Sequence, residues 1–199
     1  MNRIITIGRE FGSGGRELGR RLAEALHIEY YDKQIIEELA KHTELSKKYF
    51  QEVTQGQPHH LFPIRIGRSF HYMKNHPLEQ SHAVFQVQSG IMKEMAEKSD
   101  CVIIGRCAEF VLEDHAPFRI FTYANMESKV ARCKEKGSEH EHFSDKEMQQ
   151  HIKAVDAQRS KYYALYTSAV WGEKAHYDLL INTSGRSIKD IAKKLADTI

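Results

Sequence analysis

Ten consecutive residues near the amino terminus, Gly8-Arg9-Glu10-Phe11-Gly12-Ser13-Gly14-Gly15-Arg16-Glu17, hold the densest set of groups suited to binding an anion. Four glycines fall within eight residues. Glycine lets successive backbone N–H groups turn towards one point, and a helix that opens behind them adds the positive end of its dipole. Arg16 places a cation beside that cradle. Gly12, Ser13, Gly14, Gly15, Arg16 and Glu17 are therefore the candidate ligands for a nucleotide phosphate chain. The competing reading is a tight turn that needs glycine for its geometry alone. The common phosphate-loop pattern G-x-x-x-x-G-K-[ST] is met only in part. Arg16 and Glu17 follow the last glycine where Lys and Ser/Thr would stand, and the stretch from Gly8 is longer than the pattern allows. Arginine binds phosphate through a planar fork, whereas a glutamate is no substitute for a magnesium-binding hydroxyl.

Other residues with chemical promise are scattered. Asp32 follows Tyr30-Tyr31 and either faces a ligand or caps the helix after it. Arg106 follows an apolar run and a glycine, at a strand end. Asp156 and Arg159 are spaced to share one helix face, which suits a phosphoryl-binding arginine and equally suits an i,i+3 ion pair. Arg65 and Arg68 are spaced to project together, as phosphate ligands or as solvated charges. His59-His60 and His140-Glu141-His142 lack the spacing of common zinc sites, so no metal site is expected. Cys107 has no identifiable base to make it a nucleophile. Trp171 with Tyr162, Tyr163 and Tyr166 reads as packing.

The elements that must position these groups follow from the apolar pattern. Ile4 to Ile7, Ile28 to Tyr31, Cys101 to Ile104, Phe118 to Tyr123 and Leu179 to Ile181 are short strands, several of them continuous apolar runs that imply cover on both faces. Helices alternate with them. Leu18, Leu22, Ala25 and Leu26 share a face after the glycine loop. Val84, Val87, Ile91 and Met95 mark a helix over 83–96, Ser144 to Glu147 is a capping box, and Ser187 caps a last helix. The expected fold class is α/β, a three-layer parallel sheet in one domain over residues 1–199. Residues 43–80 lack a period and are expected to form a mobile insertion on the acceptor side; residues 135–170 are expected to form a lid-like helical region.

Composition narrows the function. Twenty-nine basic residues against 27 acidic ones leave a formal charge of +2, with no global bias towards nucleic acid or membrane. Three cysteines without a C-x-x-C pair suggest free thiols and a cytoplasmic protein. The apolar run before the loop is too short for a signal peptide, and no stretch suits a membrane span. Nothing in the sequence sets an oligomeric state.

Taken in chain order, four segments resemble the cytidylate kinases, specifically a divergent cytidylate kinase-like group: the GREFGSGGRE loop, Tyr30-Tyr31-Asp32, Val102-Ile103-Ile104-Gly105-Arg106-Cys107, and Asp156-Ala-Gln-Arg159 with the strand before Asn182-Thr183-Ser184. The resemblance covers most of the chain outside 43–80. It implies a P-loop nucleoside-monophosphate kinase fold, ATP and Mg2+ as cofactors, and a CMP-type nucleotide as the acceptor. It further implies that Gly12 to Arg16 hold donor phosphates, that Asp32 and Arg106 face the acceptor, and that Arg159 reaches the transferring group. Cys107 stands where the family has aspartate. Kinases of other small molecules on the same fold, and a nucleotide-binding regulatory protein with little turnover, remain the alternatives.

Overall fold

Five strands, β1 (Ile4–Arg9), β2 (Glu29–Tyr31), β3 (Cys101–Ile104), β4 (Phe118–Tyr123) and β5 (Leu179–Asn182), form one sheet in the order β2-β3-β1-β4-β5. Every pairing is parallel, with Ile7 opposite Ile104 on one side of β1 and Ile120 on the other. The computed structural model describes residues 2–36, 77–136 and 143–199. The chain divides into two compact units, Met1–Lys33 with Met92–Ile199, and Gln34–Ile91. The sheet belongs wholly to the first. The described part of the second comprises Gln34 to Ile36, which are helical, and the amino-terminal portion of α2 (Pro77–Lys98).

The strands form where β-branched residues run together, because both faces of a parallel strand must be apolar. Ile5, Ile7, Val102, Ile103, Ile104 and Ile120 are essentially without solvent exposure. On one face, α1 (Gly15–Leu26) packs Leu18, Leu22 and Ala23 against Ile5, Ile7, Val102 and Ile104. α6 (Ile188–Ala196) joins the same core through Ile188, Ala192 and Leu195. Burial of each such leucine or isoleucine stabilises the fold by about 1.5–3 kcal/mol. The core thus makes a rigid plate, and the loops at the carboxyl ends of its strands are held from below.

Among the described residues the other α-helices of the first unit are α3 (Ala108–Val111), α4 (Met126–Lys136) and α5 (Asp145–Thr167). The capping box expected at Ser144 is present: its hydroxyl accepts from the Glu147 N–H, and Glu147 Oε2 accepts from the Ser144 N–H. A satellite core joins α4 and α5 through Val130, Met148 and Ile152, and the loop residue Phe11 packs into it. The helix expected over 83–96 is longer at its amino end, reaching Pro77. Of the insertion expected over 43–80, residues 43–76, Arg65 and Arg68 among them, lie outside the described residues, as do His59, His60, His140 and His142. Among the described residues no helix is long and apolar enough to cross a membrane.

Gly19 sets how closely α1 approaches the sheet. A Cβ there would overlap Ile104 Cδ1 and stand 3.3 Å from Ile7 Cδ1. Gly19→Leu should therefore lower stability by at least the ~1–3 kcal/mol of an overpacked core, despite leucine's better helix propensity. Urea titration should show a lower midpoint with an unchanged m-value.

Candidate active site

The glycine loop leaves the carboxyl end of β1, next to the strand-order reversal where parallel sheets open a crevice. Its outer side is tied down from Glu10 to Ser13. Glu10 N–H donates to the Thr122 carbonyl at 3.0 Å, and Phe11 N–H donates to Asp156 Oδ1 at 2.7 Å. Lys129, with a nearly buried side chain, bridges Glu10 at 2.7 Å and Asp156 at 3.2 Å. Arg132 donates to the Gly12 carbonyl at 2.6 Å and to the Thr183 carbonyl at 3.1 Å. Ser13 Oγ is fully buried between the Glu10 carbonyl, 2.8 Å away, and Thr122 Oγ1, 2.9 Å away. Gly12 and Gly14 have φ of 75° and 82°, a left-handed backbone that glycine adopts without strain. α1 opens directly after Gly14, so the first amides of its opening turn have no acceptor within the helix. Such amides are anion donors.

Arg16 turns sideways from the loop. Its guanidinium meets Asp32 Oδ2 through Nε at 2.8 Å and Nη2 at 2.6 Å, with Asp32 buried and Arg16 mostly exposed. Both line a hollow of about 670 Å3 along the first turns of α1. Two further arginines that line it are paired as well, Arg21 with Glu17 at 2.8 Å and Arg20 with Glu24 at 2.7 Å.

The smaller cavity beside the loop has a different electrostatic character. It holds about 290 Å3 and is lined by Arg9, Arg106, Arg159 and Lys33, with Glu109 as its one carboxylate among the described residues. Burial and the neighbouring guanidiniums of Arg159 and Arg106 push the Arg9 pKa down to about 10. Burial also lowers that of Arg159. Arg159 is fixed by donating to the Arg9 carbonyl at 3.2 Å, and it lies over the Phe11 ring at 5.5 Å. Its distance to Asp156 is 3.7 Å, so the pairing allowed by their spacing is long, and Asp156 is engaged mainly with the loop and Lys129. Arg106 enters the cavity through a turn in which Gly105, Arg106 and Cys107 are all left-handed, with φ of 70°, 57° and 55°. Two non-glycine residues in that region cost roughly 1–2 kcal/mol each. The guanidinium of Arg106 lies 5.6 Å from the centre of the Tyr162 ring. Tyr162, Tyr163 and Trp171, expected as packing, form the aromatic wall here, with Trp171 edge-on to Phe121 at 5.4 Å. Burial pushes the Cys107 thiol up to about 12, which leaves it protonated and unsuited to nucleophilic attack.

Arg9, Lys129 and Arg132 escaped the sequence reading. Arg9 stands inside the glycine loop but outside the phosphate-loop pattern. Lys129 and Arg132 lie on a helix with no motif, and their partners are more than a hundred residues away in sequence at the loop.

The donor set also bears on magnesium. The loop hydroxyl of Ser13 is enclosed, Asp32 is held by Arg16, and among the described residues no group of three or more His, Cys, Asp or Glu could hold a metal. These residues do not fit a magnesium ion held by protein side chains.

A parallel sheet with this strand order, a glycine loop opening a helix and a cavity ringed by arginines define a P-loop kinase fold. The chain belongs to the cytidylate kinase-like family, whose pattern it matches over residues 4–185. An uncharacterised protein from Eubacterium ventriosum is similar over 100% of both chains, with 25% identity and a TM-score of 0.71. A shikimate kinase from Bacteroides thetaiotaomicron shares the fold at 15% identity and a TM-score of 0.55, over 98% of this chain and 97% of that one. A gluconokinase from Sinorhizobium meliloti does so at 12% identity and 0.52, over 98% and 90%. No curated protein matches the sequence.

Lys129→Met should leave the Glu10 and Asp156 carboxylates facing each other without their cation. The expected loss is about 2–3 kcal/mol, below the ~3–5 kcal/mol of a fully buried broken pair because Glu10 is partly exposed. Burial already holds the Asp156 carboxyl above the ordinary carboxylate range. Protonation relieves the repulsion, so the loss should shrink as pH falls towards 4 and be largest near neutrality. Thermal melts of both proteins across that range check the sign.

Proposed function

We propose that the protein transfers the γ-phosphoryl group of ATP to a small acceptor bound at the arginine-lined cavity, with a CMP-type nucleoside monophosphate as the acceptor that family membership favours. The observation that carries this reading is the convergence of Arg9, Arg106 and Arg159 on one cavity at the mouth of the glycine loop. Phosphoryl transfer needs in-line positioning and cations that meet developing charge, and little covalent chemistry from the protein. In this reading the loop amides from Gly12 to Glu17 hold the donor phosphates, Arg106 orients the acceptor, and Arg159 meets the group in flight. Asp156 positions the loop through Phe11. Arg16 would reach the donor only by leaving Asp32, so its loss should weaken nucleotide binding less than loss of a cavity arginine. Asp32 would then act through Arg16. Magnesium would come with ATP, held by phosphate oxygens and water. The three free thiols suit a reducing, cytoplasmic setting.

A second reading has one observation in its favour. Glu109 is nearly buried, receives the Tyr177 hydroxyl at 2.9 Å on Oε1, and has no hydrogen-bond partner for Oε2 among the described residues. Burial raises its pKa. A carboxylate so placed could accept a proton from an alcohol, as transfer to a hydroxyl requires and transfer to a phosphate does not.

ADP release measured across nucleoside monophosphates and small hydroxylated metabolites tests both readings. Arg159→Ala should lower kcat by about 10²–10³, with a much smaller change in ATP affinity, as for loss of one charge-stabilising donor. An unchanged kcat would remove Arg159 from the reaction. Glu109→Gln should leave transfer to a nucleoside monophosphate nearly intact but suppress transfer to an alcohol by about 10²-fold or more. Absence of ADP release with every acceptor would leave a nucleotide-binding protein with little turnover.

A further inference from the structure

No motif marks Arg9, yet it lies deeper than Arg159 among the cavity's cations. Among the described residues its guanidinium has no hydrogen-bond or ion-pair partner. Burial and the repulsion of Arg159 and Arg106 lower its pKa against weaker opposing influences of Tyr30 and Asp32, and Glu109 is the carboxylate that shares its cavity. An unpaired charge in such a place destabilises a fold unless an anion arrives to meet it.

Two glycines on separate elements make room for this side chain. The first is Gly15, which opens α1 immediately after Gly14. In the G-x-x-x-x-G-K-[ST] pattern the lysine that reaches the β- and γ-phosphates stands where the glycine turn passes into the helix. Because α1 opens at Gly15, the structure moves that position to 15 from Arg16, where the sequence alone puts it. No lysine can stand at position 15. A Cβ there would overlap Thr122 Oγ1, and it would lie 2.6 Å from Arg9 Cβ and 3.2 Å from Arg9 Cγ. The stem of Arg9 fills the volume in which a lysine at that position would begin. The second is Gly105, where a Cβ would fall within the Arg9 guanidinium, overlapping Nη1 and lying 3.0 Å from Cζ. Gly15 admits the stem and Gly105 admits the head.

We propose that Arg9 is the phosphate-binding cation of this loop, reaching from strand β1 into the place that a helix lysine takes in the common pattern, and that its ligand is the polyphosphate chain of a nucleoside triphosphate. The assignment deepens the phosphotransferase reading and rests on it for the identity of the ligand. A guanidinium offers two parallel N–H donors, so it can bridge oxygens of adjacent phosphates where an ammonium would act as a point charge. The next residue along the chain, Glu10, is clamped to Lys129, which fixes the backbone from which Arg9 projects.

Calorimetry with ATP and, separately, with inorganic tripolyphosphate on the full chain tests the assignment, alongside thermal melts without ligand. Arg9→Met keeps the length of the side chain and removes its charge. It should bind both probes about 10- to 100-fold more weakly, the loss expected for one charge-assisted contact to phosphate. It should also melt above the wild type without ligand, because an unmatched charge has been removed. Arg9→Lys should stay within about tenfold of wild-type affinity. A structural role predicts the opposite melt: a lower midpoint for Arg9→Met, with affinity lost only as folded protein is lost, and that result overturns the assignment. Equal affinity of Arg9→Met and wild type for both probes overturns it too. If the wild type binds tripolyphosphate through Arg9 but releases no ADP with any acceptor, the kinase reading falls and the cation assignment stands. If the wild type turns over ATP and Arg9→Met matches it in binding and rate, only the assignment falls. Failure of the wild type to bind either probe removes both.

Discussion

Like charges crowded into one cavity, with three guanidiniums against the single carboxylate of Glu109 among the described lining residues, govern the architecture around the loop. Arg9, Arg106 and Arg159 line one cavity, and burial and mutual repulsion together depress the Arg9 pKa. Gathering three guanidiniums in one cavity costs stability through desolvation and mutual repulsion. The arrangement persists because each arginine projects from a backbone fixed by something else. Arg9 ends a central strand paired on both sides. Arg106 sits in a left-handed turn that the strand before it and the helix after it over-determine. Arg159 rides on a helix anchored to the loop by Asp156. Preorganised positive charge of this kind is strong towards a phosphoryl group because no reorganisation is needed when the anion arrives.

The Glu10–Lys129–Asp156 bridge carries the mechanical part of the design. It links the loop, α4 and α5 through a cation whose side chain is nearly buried. Asp156 also accepts the Phe11 amide, and Phe11 packs into the apolar contact between α4 and α5. The loop is therefore gripped from its outer side by polar and apolar contacts together, leaving the opening of α1 to face a ligand. Arg132 extends the grip to the segment after β5 by holding two carbonyls at once. A guanidinium suits that task because its donors lie in one plane and diverge at fixed angles.

The fold was legible in the sequence because its signals are local. A short, β-branched apolar run such as Cys101 to Ile104, stopped by Gly105, reads as a strand covered on both faces, and Ser144 with Glu147 declares a helix start within four residues. The glycine loop was legible as an anion cradle for the same reason. The site was less so. Arg16 was the natural cation from its position after the last glycine, yet in the folded chain it lies against Asp32, sixteen residues away. Asp32 itself reads as a ligand or a cap in sequence, and its pairing with Arg16 depends on how β2 and α1 meet. Lys129 and Arg132 carry no sequence signal, since the loop residues they hold lie more than a hundred positions away. Arg9 had a faint one: a charged residue immediately after a buried strand must either find a partner or line a site.

The loop's departures from the common pattern belong together when taken as one steric problem. Between β1, β4 and the start of α1 there is room for one long side chain, and Arg9 occupies it. With that volume filled, position 15 must be glycine, because even a Cβ would collide with Thr122 and Arg9. Thr122 cannot move away, because its hydroxyl meets Ser13 Oγ in the buried floor of the loop. That same contact keeps the Ser13 hydroxyl out of reach of any ion at the mouth. A lysine restored at position 15 would thus require loss of Arg9 and reshaping of Thr122, which in turn would free Ser13. The missing lysine, the enclosed serine and the arginine at the strand end are consequences of a single packing choice, and a single substitution is not expected to revert any one of them alone.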